Sequence, residues 1–400
     1  MNYMKKIAII VDSHVGSTIP LCKALSKKGY KVDYYIIGVG KVHSPEGTDI
    51  EFSTSKIGIS KIPPSKYPKL NAYFSKSDIT IYSITLPRPF SKLRIVSKYM
   101  TLLRNMLMKL YARKILQKSY DWINLVGRHN SVELIPFLDI CGNKCVLSLH
   151  EVFNHANPDF SKVPELISKM IDKRIDTVVH SVKSLKDILC YDGIDESFIH
   201  HINFGLFESF SIYNSDNSLT LPNRYFLFFG RITPYKGLSY FIEAAKTISK
   251  KYPKIKYVIA GSGKDPVLDT LKNDDRFVVL NRFITNEELA ELIRNSHAIV
   301  CPYTTMSQSG IPQTTYVFNK PIIASNLDGF REVISNKVNG LLFEVNSIEQ
   351  LSKAMEDSLN PDNYTKLVNG VSDFQNQYPT YSWSCIADQY INLKKSCLYQ

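Results

Sequence analysis

The chain has 400 residues and a mass of 45.6 kDa, more than one hydrophobic core usually serves, so we expect two domains. Hydrophobic residues make up 44% and charged residues 22%, which excludes wholesale disorder and collagen-like or coiled-coil builds. The longest apolar runs, 7–11 and 145–149, are far below the roughly 20 residues that span a bilayer. The apolar stretch near the N-terminus is also too short for a signal peptide. We therefore expect a cytoplasmic protein.

The seven cysteines show no paired CxxC spacing. This pattern predicts neither a disulfide framework nor a zinc site. Cys141 and Cys145 are accordingly interpreted as buried or loop thiols.

Positive charge is concentrated in the first part of the chain. Residues 1–150 carry 23 Lys+Arg against 9 Asp+Glu, whereas residues 151–400 carry 26 against 28. Such an asymmetric field indicates that the first part meets something anionic: a membrane surface, a polyphosphorylated ligand or nucleic acid.

Short β-branched strands alternate with helical stretches through both halves of the chain. The expected strands are 7–11, 32–37, 79–84, 122–126, 145–149 and 177–181, and then 225–229, 256–260, 277–280, 298–302, 321–325 and 341–343. Apolar runs of this kind are typical of parallel sheets buried on both faces, so we predict two α/β doubly wound units. In such sheets ligands bind beyond the carboxyl ends of the strands.

The domain boundaries follow from the same alternation. Residues 1–207 form the expected first domain, the Ser- and Asn-rich segment 208–224 the linker, and residues 225–380 the second domain. The apolar positions of the last segment, 381–400, keep helical spacing.

A basic segment lies between Asp78 and Asp121, where there is no acidic residue. Nine basic residues fall within 88–118, and the apolar side chains recur at helical spacing: Leu103, Met106, Leu107, Leu110 and Tyr111. The pattern predicts a basic amphipathic helix, which either lies on anionic lipid or turns its apolar side to its own core. The segment contains no nucleic-acid-reading motif, so we expect no nucleic-acid partner.

Two cations follow the first strand of the second domain. Gly230 permits a tight turn, Arg231 leaves the carboxyl edge of the sheet, and Lys236 precedes a helix. An Arg offers a bidentate fork and a Lys a mobile point charge, a combination suited to a diphosphate. Solvated loop charges are the alternative interpretation of this pair.

A second candidate phosphate contact follows the strand 298–302. The segment Ser307-Gln308-Ser309-Gly310-Ile311 is small and polar, and a helix is expected to begin after it. Small residues let backbone N–H groups approach an anion, and a helix N-terminus adds partial positive charge. Together with Arg231 and Lys236, this segment would neutralise a leaving diphosphate.

At this point the chain resembles the retaining, GT-B fold glycosyltransferases of the large family 4. The resemblance covers about 120 residues of the second domain and is carried by 230–237, 259–263, 320–325, 329–332 and 339–342. In the first domain Gly16, in the turn after the first strand, is similar to the family glycine that faces the sugar-nucleotide. Residues 203–205 occupy the position at which the chain of family members passes from the first domain into the linker. Residues 381–400 resemble the last helix of the family, which packs back on the first domain.

The resemblance implies a GT-B fold, with two Rossmann-like doubly wound parallel-sheet domains facing a cleft. A nucleotide-sugar donor, UDP- or GDP-linked, would dock on the second domain and a glycan or lipid-linked acceptor on the first. It implies that Arg231 and Lys236 hold the diphosphate and that the amides around Ser309, Gly310 and Ile311 meet its other oxygens. We expect a hexosyltransferase without metal or other cofactor, since no Asp-x-Asp motif is present. Surface polysaccharide or glycolipid assembly at the inner membrane face is the expected setting.

The chain departs from the family at two positions. The two family glutamates would fall at 306 and 314, where this chain has Met306 and Thr314. Thr314 or Gln313 would grip ribose hydroxyls through neutral hydrogen bonds, and Gln308 is the nearest polar substitute at the reacting end. The departure leaves open a catalytically inactive GT-B protein that only binds a sugar or nucleotide.

His150 follows the strand 145–149 and is the candidate catalytic residue of the first domain. A histidine there would hydrogen-bond a donor-sugar hydroxyl, as the resemblance implies, or move a proton near neutral pH. His14 and His155 are weaker candidates. The His-Glu spacing at 150–155 does not fit a zinc protease, and Gly261-Ser262-Gly263 lacks the third glycine of a dinucleotide-binding oxidoreductase.

Overall fold

The computed structural model describes residues 5–39, 48–50, 57–87, 94–153, 162–213, 219–306 and 309–396. These form two compact units. Unit 1 contains Met1–Gly205 and Thr380–Gln400, and unit 2 contains Leu206–Pro379.

The sheet of unit 1 has eight strands in the order β3-β4-β2-β1-β5-β6-β7-β8. Seven are mutually parallel, and β3 pairs antiparallel with β4 at the edge. The strands of the interior carry apolar side chains on both faces, because helices cover both. The strands are β1 Lys6–Val11, β2 Lys31–Val39, β3 Gly58–Lys61, β4 Ile79–Leu86, β5 Trp122–Arg128, β6 Cys145–Glu151, β7 Thr177–Val179 and β8 Ile199–His201.

Unit 1 contains seven described α-helices, six before the chain passes to unit 2 and one after it returns. Their bounds are α1 Val15–Lys27, α2 Pro68–Tyr73, α3 Arg94–Leu116, α4 Ile135–Cys141, α5 Glu165–Asp172, α6 Val182–Ile188 and the C-terminal α14 Trp383–Ser396.

Unit 2 is built on a six-stranded parallel sheet in the order β11-β10-β9-β12-β13-β14. Its strands are β9 Tyr225–Phe229, β10 Lys256–Ala260, β11 Phe277–Leu280, β12 Ala298–Cys301, β13 Ile322–Ser325 and β14 Gly340–Phe343. Its helices are α7 Leu238–Ser249, α8 Asn286–Asn295, α9 Ile311–Thr315, α10 Asp328–Arg331, α11 Ile348–Leu359, α12 Pro361–Ser372 and α13 Phe374–Gln377. The predicted pair of parallel α/β units is therefore confirmed, and the twelve expected strands all form within one or two residues of their expected bounds.

The C-terminal helix α14 is part of unit 1 and packs against α1. The Tyr390 hydroxyl lies 2.9 Å from that of Ser148, and the Lys394 ammonium lies 2.9 Å from the Asp176 carboxylate. The Trp383 ring fits so closely over Gly205 that a Cβ there would stand 2.5 Å from it. Apolar packing and buried polar contacts together hold this helix in unit 1.

The expected linker, 208–224, contains ordered structure of its own. Its described residues belong to unit 2, and Glu208–Ile212 forms a short 3₁₀ helix with Phe210 and Tyr213 buried. Serine and asparagine dominate the composition of the segment, but its aromatic side chains supply the apolar area that fixes it to unit 2.

The prediction that Cys141 and Cys145 are thiols was wrong. Cys141 and Cys145 are joined as a disulfide, with their Cα atoms 5.9 Å apart, across the short turn between α4 and β6. No helix among the described residues is long and apolar enough to span a membrane.

Candidate functional site

The strand order of unit 2 reverses between β9 and β12. Strands β10 and β11 lie on one side of β9, whereas β13 and β14 lie on the far side of β12. The segments that follow β9 and β12 therefore leave the same sheet edge side by side, at the position where open α/β sheets bind ligands. These two segments contain all of the unit 2 residues predicted to hold phosphate.

Glycines allow the segment after β9 to pack tightly against its neighbours. A Cβ on Gly237 would stand 1.8 Å from the Pro302 carbonyl oxygen, and one on Gly261 would stand 1.9 Å from that of Gly230. Gly237 also has a φ of 68°, in the left-handed region that glycine tolerates best. The turn therefore lies directly against the end of β12.

Lys236 turns back over the start of its own loop. Its Nζ lies 2.9 Å from the position that a Cβ on Gly230 would occupy and 4.9 Å from the centre of the Tyr303 ring. Arg231 is exposed one residue after Gly230. Two cations thus lie within one short loop at the switch point of the sheet.

Tyr303 lies in the segment after β12 and contacts the loop that contains Lys236. The ring is buried, which raises the pKa of its hydroxyl well above the usual value, and the side chain of Ser309 opposes that rise. The backbone N–H of Thr304 donates to the Tyr235 carbonyl oxygen at 2.8 Å. The Lys236 ammonium therefore lies over a ring that belongs to the segment after β12, and the two predicted phosphate segments are brought together.

The helix expected after Ser309 is short. Helix α9 covers only Ile311–Thr315, and its second residue, Pro312, has no N–H to donate. The Ile311 N–H is 3.3 Å from the Ser309 hydroxyl, which occupies part of its donor capacity. The predicted contribution of a helix N-terminus is thus reduced to the amides of Gly310 and its neighbours. Gln308 lies outside the described residues.

Thr314 and Gln313 differ in the polar atoms they leave for a ligand. Both side chains are buried. The Thr314 hydroxyl donates to the Gly310 carbonyl oxygen at 3.0 Å, so its proton is used inside the turn. The Gln313 Oε1 is buried and has no hydrogen-bond partner among the described residues. Of the two expected ribose contacts, Gln313 is the one with a side-chain polar atom that has no hydrogen-bond partner among the described residues.

In unit 1 the structure places the predicted residues His150 and Gly16 within regular secondary structure. His150 is part of β6, and Gly16 lies in the first turn of α1 rather than in the preceding turn. The His150 ring stacks on that of His14, with centroids 4.3 Å apart, and contacts His180 at 5.1 Å. His155 lies outside the described residues.

Burial controls the protonation of these histidines. It lowers the pKa of His14 and of His180 to about 4, and that of His150 well below 6.5, where the neighbouring imidazoles add to the effect. The predicted movement of a proton by His150 near neutral pH does not fit a buried imidazole that stays neutral. A neutral ring still donates one hydrogen bond to a hydroxyl.

The second unit contains the part of the chain that a family model recognises. Residues 213–369 match the family of glycosyl transferases group 1. The matched segment includes the β9 loop with Arg231 and Lys236, Tyr303, and Gly310 to Thr314. The expected resemblance to glycosyltransferases is therefore confirmed for this segment, which matches the group 1 model.

Two relatives that match more than two thirds of the chain are described as glycosyltransferases. An uncharacterized glycosyltransferase of Haemophilus influenzae is 24% identical over 91% of this chain and 93% of its own length. The putative glycosyltransferase YtcC of Bacillus subtilis is 25% identical over 71% of this chain and 75% of its own length.

Solved structures show that the chain has the GT-B fold. The Anabaena Alr3699/HepE structure in complex with UDP and glucose aligns with a TM-score of 0.65 and 14% identity, covering 98% of this chain and all of that one. A sucrose-phosphate synthase from Thermosynechococcus elongatus aligns with a TM-score of 0.65 and 16% identity, covering 99% of both chains.

Two residues at this site were not singled out from the sequence. Tyr303, over whose ring the Lys236 ammonium lies, directly follows the Pro302 that ended an expected strand, so its position after β12 was the available signal. Phe207, whose ring would be 2.8 Å from a Cβ on Gly310, had no signal because it lies far away in the chain. No group of three or more metal-ligating side chains occurs within the described ranges.

The close packing at Gly237 allows a first prediction. We expect Gly237→Ala to lower the free energy of unfolding of unit 2 by more than 3 kcal/mol, because an unfavourable φ adds to a clash with the Pro302 carbonyl. Urea unfolding followed by circular dichroism measures the loss.

Gly29→Ala is the matched control for backbone conformation. Gly29 has a φ of 86°, but nothing lies within 4 Å of a Cβ placed there. We expect this variant to cost only about 1–2 kcal/mol. Equal losses in the two variants would show that the close approach to β12 contributes nothing.

Proposed function

We propose that the chain is a retaining glycosyltransferase that moves a hexose from a nucleotide-diphosphate sugar to an acceptor hydroxyl. The observation that carries this proposal is the convergence of the β9 loop and the segment after β12 on Tyr303. It gathers Lys236, Arg231 and the turn at Ser309 and Gly310 at the switch point of a group 1 segment. The related Anabaena protein, of the same fold, was solved with UDP-glucose.

Each of these residues would make a different kind of interaction with the donor. The Arg231 guanidinium offers two parallel donors to one phosphate, and the Lys236 ammonium adjusts its position to the other. The amides near Gly310 add donors without net charge. As the glycosidic bond breaks, negative charge grows on the diphosphate, and these groups stabilise it in place of a metal ion. Gln313 Oε1 would accept a ribose hydroxyl.

The acceptor would dock on unit 1, and the neutral imidazole of His150 would hydrogen-bond a hydroxyl of the donor sugar. In a retaining transfer the acceptor oxygen attacks from the face that the diphosphate leaves, and a phosphate oxygen takes the acceptor proton. This proton path is consistent with the low pKa of His150. We propose that the acceptor is a glycan or a lipid-linked molecule used in surface polysaccharide or glycolipid assembly. Transfer would take place in the cytoplasm, at the inner face of the membrane.

A thermal-stability screen of nucleotide-diphosphate sugars tests donor binding. A ligand at 100 times its Kd stabilises the folded state by about 2.7 kcal/mol. For a unit of this size we expect the Tm to rise by about 5–10 °C with the correct donor. A nucleoside monophosphate, which lacks the second phosphate, is the matched control and should give a much smaller rise.

Turnover separates the enzyme from its alternative. Met306 and Thr314, at the two positions where family 4 carries glutamates, favour an inactive sugar- or nucleotide-binding protein as the second candidate. A donor that raises the Tm but is never consumed, across a panel of glycan and lipid acceptors, would support that alternative. If no UDP- or GDP-sugar shifts the Tm, the proposed transferase and an inactive protein that binds a nucleotide-sugar are both wrong.

A further inference from the structure

Helix α3 presents apolar side chains on two opposite faces. Met108, Ala112 and Ile115 are buried in the core of unit 1, and Arg104 on the same side pairs with Glu133. These residues satisfy the ordinary requirement that an amphipathic helix cover its own domain. The apolar residues on the other side of the helix therefore have no role in that core.

The second face carries five large apolar side chains that are exposed by 38–70%. We call this set the α3 stripe: Tyr99, Leu102, Leu103, Met106 and Leu110. At 100° per residue, the five positions fall within about 50° of one line along the helix, opposite Met108. Contiguous exposed apolar surface of this kind marks an interaction site in a soluble domain.

Cations flank the α3 stripe. Lys109, Arg113 and Lys114 are exposed on the same helix. No acidic residue occurs from residue 79 to residue 120, so nothing in this part of the sequence neutralises them. The exposed side of α3 therefore combines an apolar line with positive charge that no acidic residue of the same helix neutralises.

We propose that α3 is a membrane-docking helix, which lies flat on an anionic lipid surface. The α3 stripe would enter the boundary between headgroups and acyl chains, while the three cations meet lipid phosphates. This proposal rests on the proposed function only in placing unit 1 beside a lipid-linked acceptor, since docking itself requires no donor.

Charge selects the lipid surface over other occupants. Two copies of this chain packed through the α3 stripe would bring two sets of Lys109, Arg113 and Lys114 together with no acidic partner on the helix. Nucleic acid would match the charge but offers no apolar layer for leucine and methionine side chains. An anionic bilayer satisfies both features.

Co-sedimentation with vesicles tests the proposal without donor or acceptor. We expect the full chain to partition at least tenfold better onto phosphatidylcholine vesicles containing phosphatidylglycerol than onto phosphatidylcholine alone. The stripe variant L102S/M106S/L110S and the charge variant K109Q/R113Q/K114Q should each reduce partition onto the anionic vesicles at least tenfold.

Matched control variants lie in unit 2. Phe283 is exposed by 60%, and Lys250, Lys254 and Lys366 are exposed, so F283S and K250Q/K254Q/K366Q remove comparable groups away from α3. Both controls should partition like the unmodified chain. Circular dichroism melts identify any variant that has lost its fold.

A tryptophan placed in the stripe gives a second readout that keeps the surface intact. The two native tryptophans, Trp122 and Trp383, are buried and should not respond to lipid. In Tyr99→Trp we expect a blue shift of the emission on addition of anionic vesicles, and in Phe283→Trp no shift.

Three results would overturn the proposal. They are equal partition onto neutral and anionic vesicles, unchanged partition of folded stripe and charge variants, and the absence of a blue shift in Tyr99→Trp. A dimer in solution that the stripe variant dissociates would instead identify a second copy as the occupant. The donor screen reports separately on the proposed function, because its readout involves no lipid.

Discussion

Lys236→Ala is expected to lower kcat/KM for glycosyl transfer by about 10²- to 10³-fold, about 3–4 kcal/mol of transition-state stabilisation. The reason is electrostatic. The ammonium over Tyr303 is one of two side-chain cations in the β9 loop, and negative charge on the diphosphate grows as the sugar leaves. Steady-state kinetics with the donor found in the Tm screen measures the loss.

Lys254→Ala is the matched control, because Lys254 is exposed in unit 2 away from the β9 loop. It should leave kcat/KM within twofold. A double-mutant cycle with Arg231→Ala sharpens the test: if both cations grip one diphosphate, their effects should depart from additivity by at least 0.5 kcal/mol. Full activity of the Lys236 variant with an unchanged melt would refute the assignment.

Mild acid should destabilise unit 1 through its buried histidines. Since the pKa values of His14, His150 and His180 in the folded state lie below 6.5, the unfolded chain binds protons that the folded chain does not. Their stabilising contribution is complete above pH 6.5 and falls as the pH drops toward 4. Each proton contributes about 1.4 kcal/mol per pH unit, so three give a slope of up to about 4 kcal/mol per pH unit.

Urea unfolding followed by tryptophan emission measures this slope selectively, because Trp122 and Trp383 both belong to unit 1. His14→Asn is the informative variant, since His14 has a φ of 59° and asparagine tolerates that conformation. It should reduce the slope between pH 6 and pH 5 by about 1.4 kcal/mol per pH unit, the contribution of one proton. A slope that His14→Asn leaves unchanged would mean that this ring titrates normally in the folded chain.

The fold was largely predictable from local patterns. The interior strands are short apolar runs because both of their faces are covered, and such runs located β9 and β10 at their observed bounds. The short strands β3 and β8 were missed, since Gly58–Lys61 lies at a sheet edge and Ile199–His201 spans only three residues. The segment 225–236 shows how the same reasoning located the site. In a parallel sheet, ligand-binding residues are expected just after the carboxyl ends of the strands, and Arg231 and Lys236 follow such an end.

The candidate site needed contacts between distant segments. The sequence suggested Thr314 and Gln313 equally as ribose contacts, and only the hydrogen bond from Thr314 to Gly310 separates them. Likewise, the role of His150 depends on its stacking against His14 and on its burial. Hydrogen-bond partners and desolvation arise from packing, so no local pattern determines them.

The sequence by itself determined two parallel α/β units, the cations Arg231 and Lys236 at a strand end, and a helical basic segment free of acidic residues. The tertiary structure alone decided that β9 and β12 adjoin, which places the Lys236 ammonium over the ring of Tyr303. It also decided which side of α3 is buried. Periodicity establishes that a helix has an apolar face, but the neighbours packed against the helix determine which apolar side chains are left for a partner.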